Sequence, residues 1–375
     1  MYRLKLDKEA ARAHLCCYYD AIHSALNALA DGDVIKFWHS SYKFSLATAN
    51  GCVRGLFRLL LKYDSSREDS FLTAPPERLN ELVRDYEHYV AVHNWNKGKT
   101  PYRECFKLLG ALYSYDRFSR AKKALVFDSK KNALRNACIV NIQDARYKGE
   151  AWSPICFIKS LNVKYCPYCN AESVYAIKFD GDDIVKSARS ALDHYYPISK
   201  YPFLGISLCN LVPSCTRCNT DIKGDRELDD RQHLNPYSGS LHDAVKFLCR
   251  PIDMAVAFSP EKVNSEDGFV FDVVPRADCP VNLADRGKAL SDFFKVKDVY
   301  NELFKYEAIN YIYKSRLVGS SYCDYVRQML KANLTDAQIK MMFCDLVDDP
   351  SKINRVRLSK LALDMHQMVD EQWQR

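Results

Sequence analysis

Apolar residues recur at three- and four-residue intervals along most of residues 8–150, the spacing that places them on one buried face of a helix. Leu15, Tyr18, Tyr19, Ile22, Leu26 and Leu29 mark the first such face, and Asp7 stands where an N-cap belongs. The same periodicity predicts helices over 54–63 and 77–95, with Pro76 suited to the first turn of the second, and over 101–116 and 119–140. Between about 160 and 240 the helical period fades. Aromatics, cysteines and prolines crowd together there, and short β-like runs lie at 174–179 and 208–212. Helical spacing returns from about 284 and predicts helices over 292–314, 322–330, 336–347 and 352–372, with Thr335-x-x-Gln338 as a capping box before the third. There is no internal repeat and no low-complexity linker. The pattern therefore predicts a mainly α protein with a small inserted α+β module. Its parts are a helical N-terminal region (1–155), a compact module (156–245) and a helical C-terminal region (246–375).

Composition narrows the class. The chain has 375 residues, 47% hydrophobic and 27% charged, which suffices for a buried core and excludes a disordered tail. With 13 Gly and 14 Pro it is neither collagen-like nor low in complexity. No apolar run approaches the roughly 18 residues of a membrane span, and Met1–Asp7 contains no apolar signal core, so a soluble, cytoplasmic protein is expected. The net charge of +7 suits a polyanionic partner and equally an ordinary enzyme. Arg117, Arg120, Lys122, Lys123, Lys130, Lys131 and Arg135 form a basic run that either tracks a phosphate backbone or makes a solvated face.

Eleven of the 15 cysteines fall into two groups. Cys52, Cys105, Cys138, Cys156, Cys249, Cys323 and Cys344 stand singly in apolar stretches and read as small buried hydrophobes. Cys166-x-x-Cys169 and Cys215-x-x-Cys218 are different. Without a secretion signal, two such pairs favour a metal over disulfides. Each pair presents two thiolates from one tight turn, so together they can close a tetrahedral four-cysteine zinc site. A site saturated by four thiolates has no open position, so this Zn²⁺ is expected to hold the fold and not to do chemistry.

Chemistry is expected from the residues between and after the knuckles. Asp193-His194 sets a hard oxygen ligand beside a titratable imidazole. Asn219 and Lys223 stand at i and i+4, on one face if 216–226 is helical. Asp193 and Asn219 would hold Mg²⁺ or Mn²⁺, His194 would deprotonate a water, and Lys223 would contact a phosphate. Asn210 is expected to hydrogen-bond across the strands and steady the His194 backbone. Individually, an Asp-His pair or an Asn after a knuckle is usually structural; their joint occurrence in this order is what raises the chemical reading. Tyr195, Tyr196, Tyr201 and Phe203 either stack on bases or form the module's core. His233 is either an additional phosphate or metal contact or a packing residue beside Asn235-Pro236.

Asp193-His194-x-x-Pro197, Asn210-Leu211, Cys215-x-x-Cys218-Asn219 and Lys223-Gly224 together resemble the HNH endonuclease motif in its zinc-knuckle form. The match covers about 60–75 residues in four separate elements. The resemblance implies a ββα-metal fold, with His194 as general base, Asp193 as a metal ligand beside it, Asn210 as the middle Asn, and Asn219 at the final position, often His. Leu234-Asn235-Pro236-Tyr237 and Leu358-Ser359-Lys360-Leu361 resemble, less specifically, the flanks of HNH proteins from bacterial anti-phage systems of the Septu type, which work beside an ATPase subunit. This chain has no G-x-x-x-x-G-K-[ST] motif, so any ATP dependence would come from another subunit.

The expected function is thus a metal-dependent HNH endonuclease acting on DNA, as an anti-phage defence effector. Two alternatives stand beside it: a zinc-stabilised nucleic-acid- or protein-binding module with an inert HNH shell, and the same chemistry on RNA. Oligomeric state and target specificity are not encoded in any recognisable motif.

Overall fold

A computed structural model describes residues 2–37, 51–95, 100–119, 124–131, 133–137, 152–179, 187–252, 268–347 and 349–373. Helix α1 (Lys8–Asp31) begins where Asp7 accepts the backbone N–H groups of Glu9 and Ala10 and ends at Gly32 in the left-handed conformation, φ 99°. Its buried face carries Tyr18, Tyr19, Ile22, Leu26 and Leu29. Strand β1 (Lys36–Phe37) follows, then α2 (Gly51–Lys62), α3 (Pro76–Val92, with Pro76 in its first turn), α4 (Thr100–Leu112) and α5 (Tyr115–Ser119).

The expected helix over 119–140 is instead a β-hairpin. Strands β2 (Ala124–Asp128) and β3 (Ala133–Ala137) pair antiparallel, and β1 adds to β3 in parallel. Asp128 to Lys131 form a tight turn, and the β-formers Leu125, Val126 and Phe127 find cross-strand partners that no helix would supply. The basic run is broken up accordingly. Arg117 bends back to donate to the Leu112 and Ala111 carbonyls, Lys130 and Lys131 sit exposed at the turn, and Arg120, Lys122 and Lys123 lie outside the described residues.

The middle region holds α6 (Pro154–Ser160), the hairpin β4 (Ala176–Lys178)–β5 (Ser187–Arg189), and the hairpin β6 (Ala191–His194)–β7 (Leu211–Ser214), followed by a π-helix (Arg217–Lys223). Then come α7 (Leu241–Ala244) and the long hairpin β8 (Val245–Pro251)–β9 (Phe269–Pro275). The expected single helix over 292–314 is three: α8 (Val281–Phe293), α9 (Val296–Leu303) and α10 (Lys305–Leu317). Lys295 sits in the left-handed region at φ 53° and separates the first two. Helices α11 (Ser320–Leu330), α12 (Asp336–Cys344) and α13 (Ser359–Trp373) complete the chain, and the Thr335–Gln338 capping box is formed in both directions.

One apolar core runs from Leu4 to Val369 and draws on all three regions; a small second cluster joins Val318, Cys323, Val326, Ile339 and Cys344. Cys105, Cys156, Cys249, Cys323 and Cys344 are buried and Cys52 is half-buried, whereas Cys138 lies outside the described residues. Among the described residues no helix is long and apolar enough to cross a membrane.

Candidate functional site

The four cysteines of the two C-x-x-C pairs converge. Their sulfurs lie within 4.8 Å of one another, all four residues are buried, and Cys169 Sγ stands 3.9 Å from Cys215 Sγ. A tetrahedral zinc with bonds of about 2.3 Å separates its sulfurs by about 3.8 Å, so the cluster fits a metal ion such as zinc. Among the described residues these are the one group of His, Cys, Asp or Glu atoms that converges in this way.

The knuckles are built locally. Asn170 takes the left-handed conformation at φ 54°, its N–H donates to the Cys166 carbonyl, and Cys166 N–H donates to Glu172 O. In the second knuckle Cys218 N–H points at Cys215 Sγ (3.5 Å) and Asn219 N–H donates to Cys215 O. Arg217 stands beside the sulfurs, with Nη2 3.9 Å from Cys169 Sγ and Nη1 2.8 Å from Glu172. The first knuckle is also fastened to the far end of the chain. The Asn170 amide donates to the Ile353 and Val356 carbonyls and accepts from Lys360 N–H and Ser359 Oγ.

The β6–β7 hairpin carries the polar half of the site. His194 pairs with Leu211 and Asp193 with Val212, while Ala191 pairs with Ser214 beside the second knuckle. The π-helix then runs back along the hairpin, so that Lys223 reaches Asp193. The result is a strand–strand–helix unit with sulfurs at one end and Asp193-His194 at the other.

His194 Nε2 lies 3.0 Å from the Gly205 carbonyl. A carbonyl oxygen only accepts, so Nε2 carries the proton and Nδ1 keeps its lone pair. The ring stands edge-on to Tyr115 at 4.7 Å. Burial holds its pKa below the usual 6.5, against the opposing effects of the Gly205 hydrogen bond and Asp193. Gly205 is required where it stands, because a Cβ there would come within 2.5 Å of the Tyr113 carbonyl oxygen.

Asn210 sits fully buried behind this loop. Its Oδ1 accepts from Tyr196 N–H (2.7 Å), and its Nδ2 donates to the Tyr196 and Leu204 carbonyls (3.1 Å each). It thereby closes the 195–204 loop that follows His194.

The geometry at Asp193 and Lys223 differs from the metal-and-phosphate arrangement expected of them. Lys223 Nζ donates to Asp193 Oδ1 and to the His194 carbonyl, at 2.8 Å each, and the Tyr168 hydroxyl donates to Asp193 Oδ2 at 2.8 Å. Both side chains of the ion pair are almost inaccessible, at 2% and 3%. In this state the Lys223 ammonium is bound by protein oxygens, and each carboxylate oxygen of Asp193 already accepts a hydrogen bond. A buried carboxylate needs compensation, and the nearest cation on the returning helix supplies it. Asn219, half-buried on that helix, has no side-chain hydrogen bond among the described residues.

The tyrosines resolve to the core. Tyr195, Tyr196, Tyr201 and Phe203 are all buried; Tyr201 donates to Glu87 and Glu227, and Tyr195 to the His233 carbonyl. His233 packs edge-on against Phe293 with Nδ1 at the Asp229 backbone, the packing role of its two readings. Asn235 accepts from Tyr237 N–H, and Tyr237 donates to the Leu211 carbonyl, which pins β7.

Three contributors escaped the sequence: Tyr168, the Gly205 carbonyl and Arg217. Tyr168 was visible inside the first C-x-x-C, but nothing in its spacing linked it to a carboxylate 25 residues on.

No family model matches the chain, and no solved structure matches it. The chain is similar to "Protein ea31" of Escherichia phage lambda, at 25% identity over 269 residues, covering 68% of this chain and 80% of the relative. That name states no activity.

Proposed function

We propose that the protein is an HNH-type endonuclease that hydrolyses phosphodiester bonds of DNA at His194. The observation that carries the reading is the state of that imidazole: Nε2 is committed to the Gly205 carbonyl, and Nδ1 is left with a lone pair beside a strand–strand–helix unit adjoining a four-cysteine centre. Nδ1 accepts a proton from water as the water attacks phosphorus in line. Burial lowers the imidazole pKa, which keeps it in the basic form at neutral pH. Asn210 keeps the following loop closed so that Gly205 stays in register with the ring. A divalent cation would stabilise charge on the phosphate and the leaving oxygen; Asp193 and Asn219 are its prospective ligands, and Asp193 is open to it only after Lys223 withdraws. A defence role beside an ATPase subunit extends the same proposal.

The test is plasmid cleavage by protein supplied with EDTA, Mg²⁺ or Mn²⁺, alongside His194→Ala. Metal-dependent nicking that disappears in the variant supports the proposal. Wild-type cleavage by His194→Ala removes it.

The double engagement of Asp193 favours a second reading, a zinc-stabilised binding module without turnover. That protein would bind DNA with salt-sensitive affinity and leave plasmid intact with every metal and with a co-purified partner present.

A further inference from the structure

Beside the Ala191–Ser214 end of the hairpin opens a cleft of about 670 Å³, within the roughly 300–1,000 Å³ of sites that hold small organic groups. Arg189, Arg217 and Arg357 line it, against a single acidic side chain, Glu172, which is already paired with Arg217. Arg217 is engaged twice, since it also faces Cys169 Sγ. The other two guanidinium groups have no carboxylate within hydrogen-bond distance among the described residues. Arg189 donates to neutral oxygens, Ser119 Oγ and the Ser190 carbonyl. Arg357 donates to the Ala171 carbonyl, lies over the Phe304 ring at 5.4 Å, and is 3.8 Å from Glu307. Tyr175 stands at the same cleft with 45% of its surface exposed.

We infer that this cleft binds a single-stranded segment of nucleic acid, with phosphates against Arg189 and Arg357 and a base stacked on Tyr175. Planar guanidinium groups match phosphate oxygens in a fork that ammonium groups do not, and an exposed aromatic beside them offers a stacking platform that tolerates any base. A concave cleft with a stacking ring suits unpaired strand better than duplex, whose bases are already stacked on one another. The cleft lies at the opposite end of the four-residue strand from His194, about 10 Å along it at roughly 3.3 Å per residue. A strand held there would be anchored to one side of the reacting bond. The inference rests on the nuclease reading only for the identity of that strand as DNA next to the cut.

The experiment uses the full-length His194→Ala protein, so that binding is read without cleavage, with labelled oligothymidylate titrated by fluorescence anisotropy across a range of salt concentrations. Arg189→Ala and Arg357→Ala are each expected to weaken binding several-fold and to flatten the salt slope by about 0.7. Tyr175→Ala should weaken it about fivefold or more with the slope unchanged. Arg189→Lys should retain the slope. Zinc content confirms that each variant keeps its centre, and Tyr175, being exposed, can be removed without unfolding. Wild-type affinity and slope in both the Arg189→Ala/Arg357→Ala double variant and Tyr175→Ala overturn the inference. An equal loss on a duplex of the same sequence overturns the single-strand assignment. Plasmid cleavage by the same cleft variants with His194 restored, together with unchanged oligonucleotide binding, would retain the nuclease and remove the cleft. Arginine-dependent binding by a chain that never cleaves would do the reverse.

Discussion

At its Ser214 end the β6–β7 hairpin runs into four cysteine sulfurs converging on one point; at its Leu211 end it presents a carboxylate, an imidazole and an ammonium, each held by protein atoms. The sulfur end could hold a metal ion such as zinc, since its four buried sulfurs converge and only Cys169 Sγ has a cation, Arg217, beside it among the described residues. The polar end is already satisfied. Asp193 has its cation in Lys223 and a hydroxyl in Tyr168, and His194 has the Gly205 carbonyl. A few residues apart, one end is thus arranged so that it could take an ion directly, and the other must give up an internal bond before it can accept one.

Four perturbations separate the two ends, in descending size at neutral pH. Metal removal strikes the sulfur end alone. A structural zinc contributes on the order of 10–16 kcal/mol to small zinc-dependent domains, so a strong chelator or Cys218→Ser should abolish bound zinc and the near-UV signal of the buried tyrosines, measured by metal analysis and circular dichroism. Retention of that signal by the metal-free protein would show that the cysteines stabilise nothing.

Lys223→Met strikes the other end by leaving Asp193 buried without its cation. The expected loss is about 3–5 kcal/mol in urea unfolding, and Lys223→Met/Asp193→Leu should recover much of it. A double variant no more stable than the single one would mean that the pair is not the source of the loss.

Tyr168→Phe probes the link between the ends, since Tyr168 belongs to the first knuckle and bonds the carboxylate of the second site. Deleting a hydrogen bond to a charged group should cost about 1.5–3 kcal/mol with zinc content unchanged. Zinc loss in this variant would instead assign Tyr168 to the metal end.

The effect that is smallest at neutral pH, and grows with acid, concerns His14, which is fully buried, accepts a hydrogen bond from Trp152 at Nδ1, and lies against the Ile206 backbone next to Gly205. Burial pulls its pKa down to about 3 from 6.5. The folded state thus binds fewer protons than the unfolded chain between those values. Its stabilising contribution is complete above pH 6.5 and is lost as pH falls toward 3, by at most about 1.4 kcal/mol per pH unit. His14→Gln, which keeps an acceptor for Trp152 but cannot be protonated, should show a flatter decline of the urea midpoint with acid. Parallel curves would remove His14 from the account.

What could be read from the chain beforehand follows the range of the forces involved. Asp7, Pro76 and the Thr335–Gln338 box declare themselves because a helix end is satisfied within three or four residues. The C-x-x-C pairs declare themselves because thiolate chemistry restricts what four such residues can do. The 124–137 hairpin did not, since its pairing partners lie across a turn and its lysines and arginine suggested a solvated helix. Asn219 and Lys223 are indeed four apart on one helix, yet the partner of Lys223 is 30 residues away in the sequence. A desolvated carboxylate holds the Lys223 ammonium for which a phosphate had been expected. The break at Lys295 is equally invisible, because a lysine at φ 53° carries no turn signature.

The bonds from Asn170 to residues 353–360 span more than 180 positions, and Asn354 in turn exchanges two hydrogen bonds with Tyr2. During synthesis, then, the first knuckle emerges long before the segment that braces it. Contacts of such long range form late, so the hairpin carrying Asp193 and His194 is fully supported only after residues 353–360 have left the ribosome. A chain cut short before residue 353 would carry every cysteine of the centre and lack its clamp, which ties completion of the site to synthesis of that distant segment.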